Sequence, residues 1–292
     1  MFTVDEFGKI TISLGGVCSL GCKHCYITSK DFRHQPDLQI AEVVETVAQF
    51  KELRCICVSG DTDPLLRPEE SVSLMEQLAR LYPKVPVTFT TRLVPSKAVY
   101  EKILALAAEC SHRRQLFIPC VSLVTFSYPN RIENAQRVPP SSERLKLVAD
   151  FVTVGIPCIV ALRPTFSFSL VPEAETTSLV KSLPHGVAAV LGEVFLVDKS
   201  RQLPMRLGWK GFEGYIVTSA PMTFISQPSA WDKCYLSKEV EFVRSACHAQ
   251  GLPYFLRSMS AFSYLQAHWS FEEGCIKHSK VDMFEDKISI CP

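Results

Sequence analysis

The chain has 292 residues, 47 % of them hydrophobic and 21 % charged, with a net charge of +1, which suits one large α/β domain or one domain with a small extension. A charge this close to zero provides no overall field that would favour nucleic acid or an anionic membrane, and no run of about 18 apolar residues marks a membrane span. The first six residues carry acids before any apolar run, so a secretory signal is not expected and the chain is read as cytoplasmic.

Residues 9–14 alternate and are rich in β-branched side chains, which predicts a first strand. It runs into a loop opened by Gly15 and Gly16. Asp37 is expected to cap a helix carrying Ile40, Val43, Val44, Val47 and Phe50. Residues 55–58 form a short apolar run ending in Ser59, Gly60 and Asp61. A second helix is predicted over 68–82 and a third strand over 85–91. Ser96 can cap a third helix through Val99, Ile103 and Leu106. The alternation continues with a strand over 116–124, a helix opened by Ser141 and stopped by Gly155, a strand over 156–162 ended by Arg163 and Pro164, a weaker helix over 173–183 and a strand over 187–196. Residues 198–233 read as irregular, either a loop over the site or a connector. A last helix over 237–250 precedes a possible short strand over 252–256.

Near-continuous apolar strands alternating with helices predict a parallel sheet with helices outside. Six such units suit an α/β fold of the partial (β/α)6 TIM-like barrel type, with residues 1–200 as the barrel core and 201–292 as a C-terminal extension completing or covering the site. The ligand site of such a fold lies at the carboxyl ends of its strands.

Twelve cysteines in a reducing compartment point to metal or catalysis before disulfides. Cys55, Cys57, Cys120 and Cys158 sit in apolar runs, where cysteine acts as a small hydrophobe. Cys18, Cys22 and Cys25 instead cluster in the loop after the first strand with C-x3-C-x2-C spacing. Three thiolates this close can hold three irons of a cubane cluster and leave the fourth iron open for a substrate. The competing reading is a closed zinc site whose fourth ligand is His24 or a distant cysteine.

The cysteine spacing, its place after the first strand, and Tyr26 directly after the third cysteine resemble the radical S-adenosylmethionine (SAM) superfamily over residues 9–197. The resemblance implies a [4Fe-4S] cluster on Cys18, Cys22 and Cys25 whose open iron chelates SAM. It also implies reductive cleavage to a 5′-deoxyadenosyl radical that abstracts hydrogen from an organic substrate, with a one-electron reductant such as flavodoxin or ferredoxin as partner. His24 occupies a position that is usually aromatic and near the SAM adenine. Ser59, Gly60 and Asp61 resemble the turn that meets the SAM ammonium, with serine and aspartate replacing the usual glycine and glutamate.

By analogy, Arg163 suits the SAM carboxylate or a surface ion pair. Thr91 and Ser122 suit ribose contacts, and Glu193 either faces the site or ends its strand in solvent. Residues 59–70 and 121–164 also resemble the spore photoproduct lyase-like branch.

Cys120 and Cys158 are candidate hydrogen donors to a product radical, with core packing as the alternative. Cys234, Cys247, Cys275 and Cys291 match no compact motif; Cys275 with His278, or Cys291, are candidates for a second metal, and Cys247 for the core. Among functions, a small-metabolite substrate fits the compact chain best. Repair of a nucleic-acid lesion lacks a concentrated basic face, since Lys51, Arg54, Arg80, Lys84, Arg113 and Arg114 are dispersed. Peptide modification and a non-catalytic zinc or iron-sulfur protein are the remaining alternatives.

Overall fold

A computed structural model describes residues 3–5, 7–28, 36–222 and 229–277. Strands β1 (Thr3–Val4) and β2 (Lys9–Ile12) are followed by α1 (Ile40–Val47), β3 (Cys55–Val58), α2 (Pro68–Leu81), β4 (Val87–Thr91), α3 (Lys97–His112) and β5 (Phe117–Ser122). Next come α4 (Pro129–Ile132), α5 (Ser141–Thr153), β6 (Ile159–Ala161), α6 (Glu173–Lys181), β7 (Ala189–Leu191), β8 (Phe195–Val197) and α7 (Gln202–Leu207). The described chain ends with β9 (Ile216–Met222), β10 (Ser229–Cys234), α8 (Ser237–Ala249), β11 (Tyr254–Phe255), α9 (Ser258–His268) and the small pair β12 (Trp269–Ser270) and β13 (Cys275–Ile276).

The main sheet has the order β1-β2-β3-β4-β5-β6-β7-β11. From β2 to β11 every pairing is parallel, and β1 is an antiparallel edge. The result is a curled half-barrel of seven parallel strands, one more than the six predicted, because the short strand β11 pairs with β7.

Alternation along the strands sorts the side chains into two rows. Ile10, Ile12, Ile56, Val87, Phe89, Phe117, Val121 and Val160 point outward into the core shared with the helices. Cys55, Ile118, Cys120, Ile159, Ala189 and Leu191 point inward, where α9 closes the lower part of the half-barrel with Phe262 and Leu265. Burying each large outward side chain contributes about 1.5–3 kcal/mol.

Helix α3 shows how local chemistry fits this plan. Val99, Ile103, Leu106 and Cys110 form one buried face, and the Ser96 hydroxyl accepts the Val99 N–H at 3.4 Å. Ser96→Ala is expected to cost about 0.5–1 kcal/mol, a fall in Tm of about 1–2 °C by calorimetry for a chain of this size.

Four expectations are corrected. Gln39, not Asp37, precedes α1, and its N–H is accepted by Glu42 at 3.2 Å, while Asp37 accepts from Arg67. Ser141 is the first residue of α5 rather than its cap, and its hydroxyl donates to the Thr125 carbonyl. The apolar run over 187–196 is two strands: β7 stays in the barrel, and after Gly192 the chain leaves it as β8. Residues 198–233 are not an irregular connector, since β9 and β10 join β8 in a second sheet of order β8-β10-β9. That sheet packs Phe195 and Trp231 with Trp209, Phe212, Phe166 and Ile132 into a separate aromatic core beside the barrel mouth.

Candidate functional site

The loop after β2 begins with a close backbone crossing. A Cβ on Gly15 would lie 1.9 Å from the Pro36 carbonyl oxygen, and its φ is +80°. Only glycine fits there. Beyond this crossing, Cys22 is buried between Leu20 and Val138, with Cys18 and Cys25 half-buried beside them. All three thiols line one cavity of about 290 Å3 that also reaches the inward row of the barrel. Burial pushes the Cys22 thiol up to about 12, against the pull of Arg92, and raises Cys25 as well. A metal binding there must therefore displace protons. Among the described residues no three His, Cys, Asp or Glu side chains converge as a single metal ion requires. What the three cysteines share is one loop and one cavity.

The loop is held from outside by hydrogen bonds. The Arg206 guanidinium donates to the Cys25 carbonyl at 3.2 Å, and Arg137 donates to the Ser19 carbonyl at 2.5 Å. From inside it is held by His24, whose Nδ1–H donates to the Ile132 carbonyl and whose Nε2 accepts from Arg92, each at 2.9 Å. Burial, helped by the Arg92 charge, pushes this imidazole down to about 3, so it is the neutral ring that both contacts require.

Arg92 lies 3.5 Å from Glu133, which pairs with Arg144 through contacts of 3.0 and 2.5 Å. Glu133 and Arg144 are each 1 % exposed. Arg144 further donates to the carbonyls of Ser122 and Pro139. A continuous polar chain thus runs from α5 to the cysteine loop. Nothing in the sequence pattern singled out Arg92, which lies just past the end of β4.

The turn after β3 forms the neighbouring wall. Gly60 has φ +128°, and its carbonyl accepts the Tyr26 hydroxyl at 3.2 Å. Ser59, Gly60 and Tyr26 line the cavity. Asp61 lies behind that wall with no exposed surface, and neither carboxylate oxygen has a hydrogen-bond partner among the described residues. A buried carboxylate without donors is costly, and the position calls for a cation or a donor. Asp63, by contrast, accepts from Leu65 N, Thr91 Oγ1 and Arg92 N at 3.0, 2.7 and 2.6 Å, which pins the turn to the end of β4.

Arg163 and Glu193 both line the cavity, and Arg163 donates to Thr90 Oγ1 at 2.9 Å. Four candidates stand off the cavity wall, by strand parity or by depth: Asp61 behind the turn, and Thr91, Ser122 and Cys158. Thr91 does not line the cavity but donates to Asp63, which does, and its neighbour Thr90 takes the inward place. Ser122 is fully buried and does not reach the cavity wall. Cys158 points outward into the helix-covered core, whereas Cys120 lines the cavity against the Thr88 hydroxyl at 3.3 Å. Cys57, grouped by its apolar neighbours with the core cysteines, lines the cavity too.

Of the remaining cysteines, Cys234 and Cys247 are buried and Cys275 is exposed. None belongs to a convergent ligand group among the described residues. His278 and Cys291 lie outside the described residues.

Comparison with known proteins follows the same lines. The profile of the radical SAM superfamily matches residues 12–164, just over half of the chain. A solved spore photoproduct lyase variant with bound AdoMet and dinucleoside spore photoproduct superposes with a TM-score of 0.61 at 12 % identity, covering 88 % of this chain and 79 % of that one. Another spore photoproduct lyase, complexed with dinucleoside spore photoproduct, gives 0.61 at 12 % identity, with 88 % and 78 % covered. At such identities the likeness is one of fold. No curated protein sequence matches the chain.

Proposed function

The chain belongs to the radical SAM superfamily, and from that premise we propose that Cys18, Cys22 and Cys25 hold its [4Fe-4S] cluster and that it removes a hydrogen atom from a small organic metabolite. The observation that carries this reading is that the three thiols share one cavity with the inward row of the half-barrel. The donor set fits the group: three free thiols on one loop, a nearby guanidinium to offset thiolate charge, and an orphaned buried carboxylate across the cavity wall. When bound, the cluster and SAM supply one-electron cleavage of a sulfonium and hence a carbon radical able to take hydrogen.

The chain's own residues bind and orient. Gly60 brings its backbone to the cavity wall, and with Ser59 and Asp61 it forms the turn proposed to receive the SAM ammonium. Asp61 supports that role as a carboxylate still without a donor. Arg163, held by Thr90, is proposed for the SAM carboxylate through its free fork, with Glu193 on the same wall. Tyr26 ties the cysteine loop to Gly60. His24 keeps the loop in register through Ile132 and Arg92. Cys120 supports a hydrogen-donor role by facing the cavity. The aromatic core under β8 and β10 walls the mouth against water. Residues 1–200 are proposed to carry the chemistry and 201–292 to complete or cover it.

An enzyme of this class needs a reductant as well as a substrate, and a flavodoxin or ferredoxin is proposed in that role. Free cysteines throughout the described residues fit a cytoplasmic setting, and among those residues no helix is long and apolar enough to cross a membrane. Repair of a nucleic-acid lesion is a second reading, favoured by the likeness to lyases holding dinucleoside spore photoproduct and opposed by a net charge of only +1.

The test is anaerobic reconstitution with iron and sulfide, reduction with dithionite, and addition of SAM. Release of 5′-deoxyadenosine is the expected result, detected by chromatography. Loaded protein that leaves SAM intact would end the reading.

A further inference from the structure

The cavity does not stop at the cysteine loop. It extends down the inward row through Thr11, Cys57 and Cys120 to Lys9, Ser258 and Phe262. Lys9 opens β2, so it lies about 10 Å of strand from the end that feeds the cysteines. Its neighbours on the inward row, Cys55, Ile118 and Ile159, are apolar, and a lysine among them requires a reason.

The local contacts leave the ammonium underused. Its Nζ donates to the Ser258 hydroxyl at 3.2 Å. Asp5 Oδ2 pairs with it ionically at 3.7 Å, too long for a hydrogen bond, and Asp5 lines the same floor. The other carboxylate oxygen of Asp5 is already committed to the N–H groups of Phe7 and Lys9, at 3.0 and 2.9 Å. An ammonium has three donors, and only one is engaged among the described residues. Ser258 is the first residue of α9, whose N-terminus has no side-chain cap, so the unpaired N–H groups of the first turn add positive potential beside Lys9. Cys57 feels the same set of charges: burial pushes its thiol up, Lys9 and Arg163 pull it down, and Asp5 raises it by less. The inner part of the cavity thus carries an ammonium beside the Asp5 carboxylate at one end and Arg163 with Glu193 at the other, with small polar side chains and thiols in between. The donors Lys9 has to spare and the helix N-terminus give the floor its positive side.

We infer that the floor of the cavity, where Lys9 meets Ser258 and the start of α9, is a subsite for an anionic group of the substrate, a carboxylate or a phosphate. This inference rests on the small-metabolite reading above and adds the chemical class of the molecule. An anion held at the floor leaves the rest of the substrate extending along the inward row toward the cysteine loop, where hydrogen would be taken. Phe262, packed beside Ser258, closes the floor and limits the length of that substrate.

The test uses the full chain, reconstituted and loaded with SAM, with inorganic phosphate and succinate as probes in titration calorimetry. Saturable one-site binding of at least one probe is expected, weakened tenfold or more in Lys9→Met and retained within about threefold in Lys9→Arg. Should Lys9→Met fail to fold by circular dichroism, Lys9→Gln carries the same comparison. Binding of phosphate alone assigns a phosphate ester, and binding of succinate alone assigns a carboxylate. The inference is overturned if neither probe binds the native protein, or if the neutral variant binds as the native protein does. The same preparation is assayed for 5′-deoxyadenosine. Cleavage of SAM without anion binding removes only this subsite, whereas absence of cleavage removes the radical reading itself.

Discussion

Arg144→Met is expected to lower folding stability by about 3–5 kcal/mol, toward the lower figure, because it strands a buried carboxylate. For 292 residues that corresponds to a fall in Tm of about 5–8 °C. Both partners are 1 % exposed, so solvent cannot take over when one is removed. Glu133 would keep only Arg92, at 3.5 Å, and the carbonyls of Ser122 and Pro139 would lose their donor. The residual contact with Arg92 is what places the expected loss at the lower end. Arg144→Lys keeps the charge but loses the two-pronged geometry and should fall between the two. Combining Glu133→Gln with Arg144→Met should cost less than the sum of the single changes, since the stranded charge is gone.

Calorimetry on the four proteins measures this coupling. Additive losses would show that the pair does not act as a unit. The effect should also reach the site, because the residue before Glu133 presents the carbonyl that holds His24. Iron retained per chain after gel filtration should fall in Arg144→Met even below its Tm.

Much of this arrangement is legible in the sequence. The βα alternation and the cysteine spacing point to a parallel barrel with its chemistry after the first strand, and Tyr26, Gly60, Arg163 and Glu193 do line one cavity. What escaped the sequence has physical causes. A strand buried on both faces carries apolar residues in both rows, so pattern alone cannot tell inward Cys57 and Cys120 from outward Cys158. One step of parity likewise separates Thr90 from Thr91.

The run over 187–196 is apolar on both sides of Gly192 and Glu193, and only the geometry at Gly192 reveals that it serves two sheets. A Cβ there would lie 2.1 Å from the Tyr254 hydroxyl oxygen, so the seventh strand and the departure of β8 meet at one crossing that a list of hydrophobic residues does not display. Arg92 leaves no such trace for another reason: the partners of its guanidinium, His24 and Glu133, come from two separate segments, and pairing across about 40 to 70 positions has no local signature.

Cys22→Ala is expected to abolish both the iron-sulfur absorption of the reconstituted protein and its release of 5′-deoxyadenosine, to background in each measurement. Cys22 is the most buried of the three loop thiols, and its alanine replacement removes one of the three sulfurs proposed to hold the cluster. A cluster held by three thiolates has no ligand to spare.

The fold should survive, since deleting one small buried group costs about 1 kcal/mol and the loop keeps its bonds to Arg137, Arg206 and Ile132. Circular dichroism and Tm therefore separate loss of metal from loss of structure. Cys120→Ala supplies the opposite control. It lines the same cavity but belongs to the barrel wall, so its cluster absorption should remain intact whatever happens to turnover. A Cys22→Ala protein that still cleaves SAM, or a Cys120→Ala protein that loses its cluster, would move the metal away from the loop and with it the assignment of every residue placed around it.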